Sequence, residues 1–180
     1  MNRNTPYTSI ERFIDHWDGV RMVTLELLQC FVDDDLSYRF ADHWRTTGEI
    51  FHHIGGHQYF VARGVLLRRW DPEPGEPDVN WGHHKKSISQ SINQLYEWLT
   101  EVQTRLHEWV KKADDDVLTD IREDNPWHEG MRGWLLLHHP YQDEIHHRGQ
   151  LYAVARHLGY DPPEIFAEEY PDYWNSRKGH

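Results

Sequence analysis

Cysteine is almost missing from this chain. Cys30 is the only one in 180 residues, which excludes an intramolecular disulfide and any CxxC redox pair. It lies in an apolar helical pattern, where a thiol reads as a small buried hydrophobe rather than a nucleophile. Long apolar runs are missing too. No stretch of about 18 such residues occurs, so no transmembrane helix is expected. The opening residues MNRNTPYTSI lack the apolar segment of a signal peptide, and a cytoplasmic protein without membrane contact is expected. Cations are scarce: 19 Lys and Arg face 30 Asp and Glu, a net charge of −11. They form no cluster beyond isolated pairs such as Arg68-Arg69 and Lys111-Lys112. A nucleic-acid binder normally carries a basic face, so no nucleic-acid partner is expected. Strand-like alternation is nearly absent as well.

What the chain does have is histidine and large aromatics. Fifteen histidines include the pairs His52-His53, His83-His84, His138-His139 and His146-His147, and there are nine tryptophans and nine tyrosines. Paired histidines invite a search for metal-ligand spacing.

Helical periodicity appears four times, within a length that suits one domain. The first helix is expected from about Ser9 to Phe31, with the stripe Ile10, Phe13, Ile14, Trp17, Val20, Thr24, Leu27, Leu28, Phe31. The second is expected from about Gly48 to Arg69, capped by Thr47. Its stripe, Ile50, His53, Ile54, His57, Phe60, Val61, Gly64, places two histidines where apolar residues belong. Gly55 and Gly56 weaken the helix and point to a close approach by a neighbouring helix. A proline-rich connection from Trp70 to about Lys85 follows. It is long for adjacent antiparallel helices and suits a crossover or a lid bearing Trp81, His83 and His84. The third helix, about Ser87 to Ala113, carries Ile88, Ile92, Leu95, Leu99, Val102, Leu106 and Val110, with no ionisable residue on the stripe.

The fourth helix is expected from about Met131 to Leu158, with Gly159 as a left-handed stop. Leu158, Val154, Leu151, His147, Asp143, Pro140 and Leu136 share one stripe. Pro140 should kink the helix or start a new segment. The residues after Gly159 form an aromatic tail, with Tyr160, Phe166, Tyr170, Tyr173 and Trp174. Such a tail should dock on the bundle or on a second subunit, giving a homodimer.

A carboxylate on a core stripe needs a partner, because burying it alone costs several kcal/mol or more. His147 lies one turn from Asp143, and His53 projects inward from another helix. Two imidazoles and one carboxylate form a donor set that zinc, nickel, iron or manganese accepts. The same residues can form a His-Asp-His hydrogen-bond network without metal, and stripe positions alone do not separate the two. The set meets at one level only if the second and fourth helices run antiparallel. That requires an up-down-down-up bundle, for which the long connection supplies the length.

The segment Asp143-Glu-Ile-His-His-Arg-Gly-Gln-Leu151, continuing to Gly159-Tyr-Asp-Pro-Pro163, resembles the last-helix signature of the DinB/YfiT-like superfamily. Gly48-Glu-Ile-Phe-His-His-Ile-Gly-Gly-His57 resembles its second-helix signature. The resemblance implies a four-helix bundle with the crossover order above. It also implies one divalent metal, zinc or nickel foremost and manganese or iron otherwise. The implied ligands fall on His53, Asp143 and His147. Many members have histidine where Asp143 stands; mycothiol-dependent maleylpyruvate isomerases use a carboxylate there. His57 and His139 are alternative ligands. Gln150 and Glu144 could orient ligands, but a place at solvent or a helix contact is the commoner expectation for both, and Gly149 is expected to allow close helix packing. The activities the resemblance implies are thiol S-transfer or isomerisation of a small-molecule substrate with a low-molecular-weight thiol. Metal-dependent hydrolysis is chemically equivalent at this level. A non-enzymatic metal-binding or stress-response protein is the rival reading, and a purely structural bundle ranks last. Trp44, Trp81, Trp127 and Trp134 could line an apolar pocket by the metal, though core packing is the commoner job of each.

Overall fold

The computed structural model describes residues 9–76, 91–114, 116–127 and 130–165. Four α-helices dominate: α1 (Ile10–Leu28), α2 (Thr47–Leu66), α3 (Ile92–Val110) and α4 (Gly133–His157). A short 3-10 turn (Asp33–Ser37) follows α1, and two two-residue strands, β1 (Ile121–Arg122) and β2 (Met131–Arg132), pair antiparallel before α4. This hairpin has no counterpart in the sequence expectations, because two residues are too few to show alternation.

The helix ends follow local chemistry. Ser9 caps α1 by accepting from Arg12 N at 3.2 Å. The cap of α2 is Thr46, one residue before the expected Thr47. Thr46 Oγ1 accepts from Glu49 N, while Glu49 Oε2 accepts from Thr46 N. This reciprocal pair satisfies two N-terminal N–H groups at once, which places the cap at Thr46. At the other end of α2, the buried Arg122 donates to Val65 O at 2.7 Å and Gly64 O at 3.1 Å, serving last-turn carbonyls that lack helical partners. α4 runs through Pro140 without a new segment beginning there. Gly159 takes the left-handed φ of +89° expected of a helix stop.

Contacts between helices fix their directions. Phe13 packs on Tyr141 at 5.8 Å and Arg148 bonds Val20 O at 3.0 Å, so α1 and α4 are parallel. His52 stacks on Trp98 and Tyr59 packs on Trp109, so α2 and α3 are parallel. Val65 lies beside Gly133 while His53 meets His147, so α2 and α4 are antiparallel. The bundle is therefore up-down-down-up, with α2 and α3 joined by the long connection. Most of that connection, including Trp81, His83 and His84, lies outside the described residues, as does the tail beyond residue 165. Tyr160, the first aromatic of the tail, does dock: it packs on Phe31 and donates to Asp35 at 2.7 Å.

Two apolar clusters fill the two ends of the bundle. One centres on Phe13, Trp17, Tyr59, Val65, Leu106 and Leu137; the other on Leu27, Phe51, Ile54, Leu95, Leu99 and Leu151. Between them, buried polar residues come together from α1, α2 and α4, with the half-buried Gln103 of α3 beside them. Gly55 admits the Trp98 indole of α3, whose Nε1 would lie 2.3 Å from an added Cβ. The close approach at this glycine is thus made by a side chain. Gly149 was expected to serve helix packing, but a Cβ there would meet nothing within 4 Å. At Gly133 an added Cβ would stand 1.8 Å from Val117 O, a backbone atom that cannot swing aside. Gly133→Ala is therefore expected to cost at least about 1–3 kcal/mol, whereas the exposed Gly149→Ala should gain about 0.5–1 kcal/mol in helix propensity. Urea unfolding of both variants checks this, and equal effects at the two positions would refute it.

Candidate metal centre

The centre is built from two helical pairs at i, i+4 spacing: His53 and His57 on α2, Asp143 and His147 on α4. This spacing sets each pair on one face, and the antiparallel crossing of the helices brings the faces together. Asp143 is the hub. Its Oδ2 lies 2.9 Å from His57 Nδ1 and 3.2 Å from His53 Nε2, while its Oδ1 lies 3.4 Å from His147 Nε2. The rings of His53 and His147 meet edge to face at 5.0 Å. The three histidines are buried, but 25 % of the Asp143 side chain remains exposed, so solvent reaches the hub.

His53, His57 and Asp143 offer ligand atoms that all lie within 4.8 Å of one another. Separations near 3 Å match the edge of a coordination polyhedron whose bonds are about 2.0–2.2 Å. The charge state suits a cation as well. Burial works to raise the Asp143 pKa, but hydrogen bonds from His53 and His57 and the nearby His147 outweigh it, holding the carboxyl well below its usual range. Burial pushes the His147 pKa down, against hydrogen bonding to Gln150 and the charge of Asp143. Deprotonated carboxylate and neutral imidazole are the forms that bind metal. The donor set therefore fits one divalent ion.

Of the expected ligands, His53 and Asp143 belong to the group of mutually close donor atoms, whose third member is His57, sharing Asp143 Oδ2 with His53; His147 stands beside that group, 3.4 Å from Asp143 Oδ1. His139, the other alternative, is exposed and outside this group. Of the two places open to Gln150, solvent or a helix contact on one side and ligand orientation on the other, it takes the second and bonds two histidines. Its Oε1 lies 2.8 Å from His147 Nδ1, and its Nε2 3.1 Å from His146 Nε2. Accepting the His147 Nδ1–H would leave Nε2 with its lone pair toward Asp143, a support that typically changes metal affinity 10- to 100-fold. Gln150→Ala is thus expected to weaken divalent-metal binding by about tenfold or more in a chelator-competition titration. An affinity within twofold of wild type would contradict the assignment.

Of the places expected for it, Glu144 takes the helix contact and not the solvent: it is 1 % exposed, on the α1-facing side of α4. It accepts from Trp17 Nε1 at 2.8 Å, Arg21 Nη2 at 3.0 Å and Thr24 Oγ1 at 2.7 Å. Arg21 also donates to Gln58 on α2, Gln58 to Gln103 on α3, and Gln103 to Asp18 on α1. A chain of polar contacts thus ties all four helices at the level of the histidine cluster and holds α4 in the rotation that presents Asp143 and His147.

A cavity of about 290 Å³ adjoins the cluster, lined by His43, Trp44, Arg45, Ile50, His147 and Gln150. Of the tryptophans expected near a pocket, Trp44 lines this one. Trp127 packs on Phe60 and Trp70, Trp134 packs against the apolar core, and Trp81 lies outside the described residues.

An all-α bundle carrying a buried His/Asp cluster between antiparallel helices is the class these features define. The chain belongs to the DinB family, whose model matches residues 1–176. Among solved structures, it is similar to a DinB-like protein from Bacillus subtilis, with 22 % identity and a TM-score of 0.66 over 86 % of this chain and 96 % of that one. It is also similar to a DinB-like protein from Bacillus cereus, with 22 % identity and a TM-score of 0.64 over 88 % and 98 % of the two chains. At that identity the likeness speaks for the fold. No curated protein matches the chain. No helix among the described residues is long and apolar enough to cross a membrane.

Proposed function

We propose that this protein is a metal-dependent enzyme acting on a small molecule, with a low-molecular-weight thiol as second reactant. The observation that carries this reading is the Asp143-centred cluster of His53, His57 and His147 opening beside a cavity that His147 itself lines. His53, Asp143 and His147 would hold the ion, with His57 either completing the set or fixing Asp143. Two imidazoles and a carboxylate suit zinc or nickel, and accept manganese or iron. A divalent cation there supplies Lewis acidity, lowering the pKa of a thiol or water that reaches it.

The chain offers no thiolate of its own. Burial, Asp161 and Glu26 push the pKa of Cys30 up, and its Sγ lies near the Glu26 and Asp161 carbonyls, away from the cluster. A nucleophilic sulfur would therefore arrive with a cofactor. The residues do the remaining work. Asp143 stays ionised, His147 is oriented by Gln150, and Trp44 and Ile50 keep part of the cavity wall apolar. The test is turnover of a small electrophile with and without divalent metal and a bacterial thiol. Turnover that needs both and disappears in Asp143→Ala is expected. Metal-dependent turnover without thiol would move the assignment to hydrolysis, and metal-independent turnover would overturn it.

A further inference from the structure

Among the described residues, no carboxylate lines the cavity beside His147, although the chain carries a net charge of −11. Its loop is anchored by residues other than Arg45. Arg39 donates to Trp44 O and, at 3.4 Å, to Glu49 Oε2. Thr47 N donates to Tyr38 O at 2.9 Å. Phe40 packs on Trp44 with ring centroids 5.2 Å apart. Arg45 itself forms no hydrogen bond or ion pair among the described residues, yet it lines the cavity. An exposed guanidinium on the wall of this cavity, with no carboxylate beside it among the described residues, is a fork for a planar anion. Trp44 and Ile50 beside it offer an apolar surface. The volume of about 290 Å³ is at the small end of ligand pockets, which limits the occupant to a small molecule.

Resting on the metal-dependent reading above, we propose that this cavity is the substrate subsite and takes a small carboxylate with a flat apolar body. Arg45 receives the carboxylate, Trp44 and Ile50 receive the body, and the far end of the molecule lies toward His147.

The test titrates 3-phenylpropionate and its neutral amide into wild type, Arg45→Gln and Arg45→Lys by calorimetry, each metal-free and metal-loaded. Removing the metal matters, because a carboxylate can also bind the ion directly. In metal-free wild type the acid is expected to bind about tenfold tighter than the amide. Arg45→Gln should abolish that preference and Arg45→Lys restore part of it. Arg45 is exposed, so neither variant threatens the fold. Equal binding of acid and amide to wild type, or an undiminished preference in Arg45→Gln, would overturn the proposal. Metal content measured on the same samples separates the two readings. A wild type that binds no metal defeats the metal-dependent function, while the acid preference of the metal-free protein is decided by Arg45 alone.

Discussion

Replacing Glu144 with alanine is expected to destabilise the protein by about 3–5 kcal/mol, a large part of the total for a domain of this size. Glu144 and Arg21 form an ion pair at 3.0 Å with side chains 1 % and 2 % exposed. The alanine variant keeps the Arg21 charge in the interior and removes its counter-ion. Arg21 Nε and Nη1 already have no hydrogen-bond partner among the described residues, so little else compensates. Trp17 Nε1 and Thr24 Oγ1 lose their acceptor in the same step. Glu144→Gln keeps one acceptor oxygen where Trp17 Nε1 and Thr24 Oγ1 use two, and should fall between wild type and alanine. The double variant Arg21→Met/Glu144→Leu should recover most of the loss, because exchanging both charges for apolar side chains is often neutral. Urea unfolding of the four proteins reads this directly. A single alanine variant within about 0.5 kcal/mol of wild type would show that the buried pair does not hold α4 to α1.

The second large effect concerns the neighbouring residue and has a different form. Asp143→Ala should leave the metal-free fold close to its wild-type stability, since its side chain is partly exposed and its partners are histidines. It should instead abolish stabilisation by metal. A ligand that binds only the folded state stabilises it by about 2.7 kcal/mol at one hundred times its Kd. For a chain of this length that corresponds to a rise of roughly 5–10 °C in Tm. Wild type with excess zinc or nickel is expected to show that rise, reversed by chelator, and Asp143→Ala to show none. Adjacent carboxylates on one helix thus have opposite signatures: one sets stability without metal, the other stability with it. A metal-induced rise that survives in Asp143→Ala would place the ion elsewhere.

Much of the centre was legible in the chain because helical stripes are local. His53, Asp143 and His147 occupy positions where apolar residues belong, and their levels match only in an up-down-down-up bundle, which the long connection permits. The choice between His53 and His57 was not legible. Residues at i and i+4 share a face, and sharing a face does not say whether one carboxylate oxygen reaches both. Which helix Glu144 contacts was not legible for a related reason. It sits one residue from Asp143, about 100° further around the helix. That angle turns it from α2 toward α1, so its environment depends on a pairing 123 residues away. A signal existed: Arg21 lies among Trp17, Val20 and Thr24 on the inward side of α1, and Glu144 between Tyr141 and Arg148 on α4. Two opposite charges on inward faces imply each other, because neither can be buried alone. The task of Gln150 was open between solvent and ligand orientation, and the three-residue step back to His147 on the cavity wall decides it.

Equilibrium dialysis followed by elemental analysis tests the central claim most directly. The purified chain, stripped of metal, is dialysed against zinc or nickel beside His53→Ala, Asp143→Ala and His147→Ala, with circular dichroism confirming that each remains helical. One ion per folded wild-type chain, with stoichiometric binding lost in all three variants, is the predicted result. A folded wild type that retains no ion, or an Asp143→Ala protein that retains one as firmly as wild type, would contradict the account.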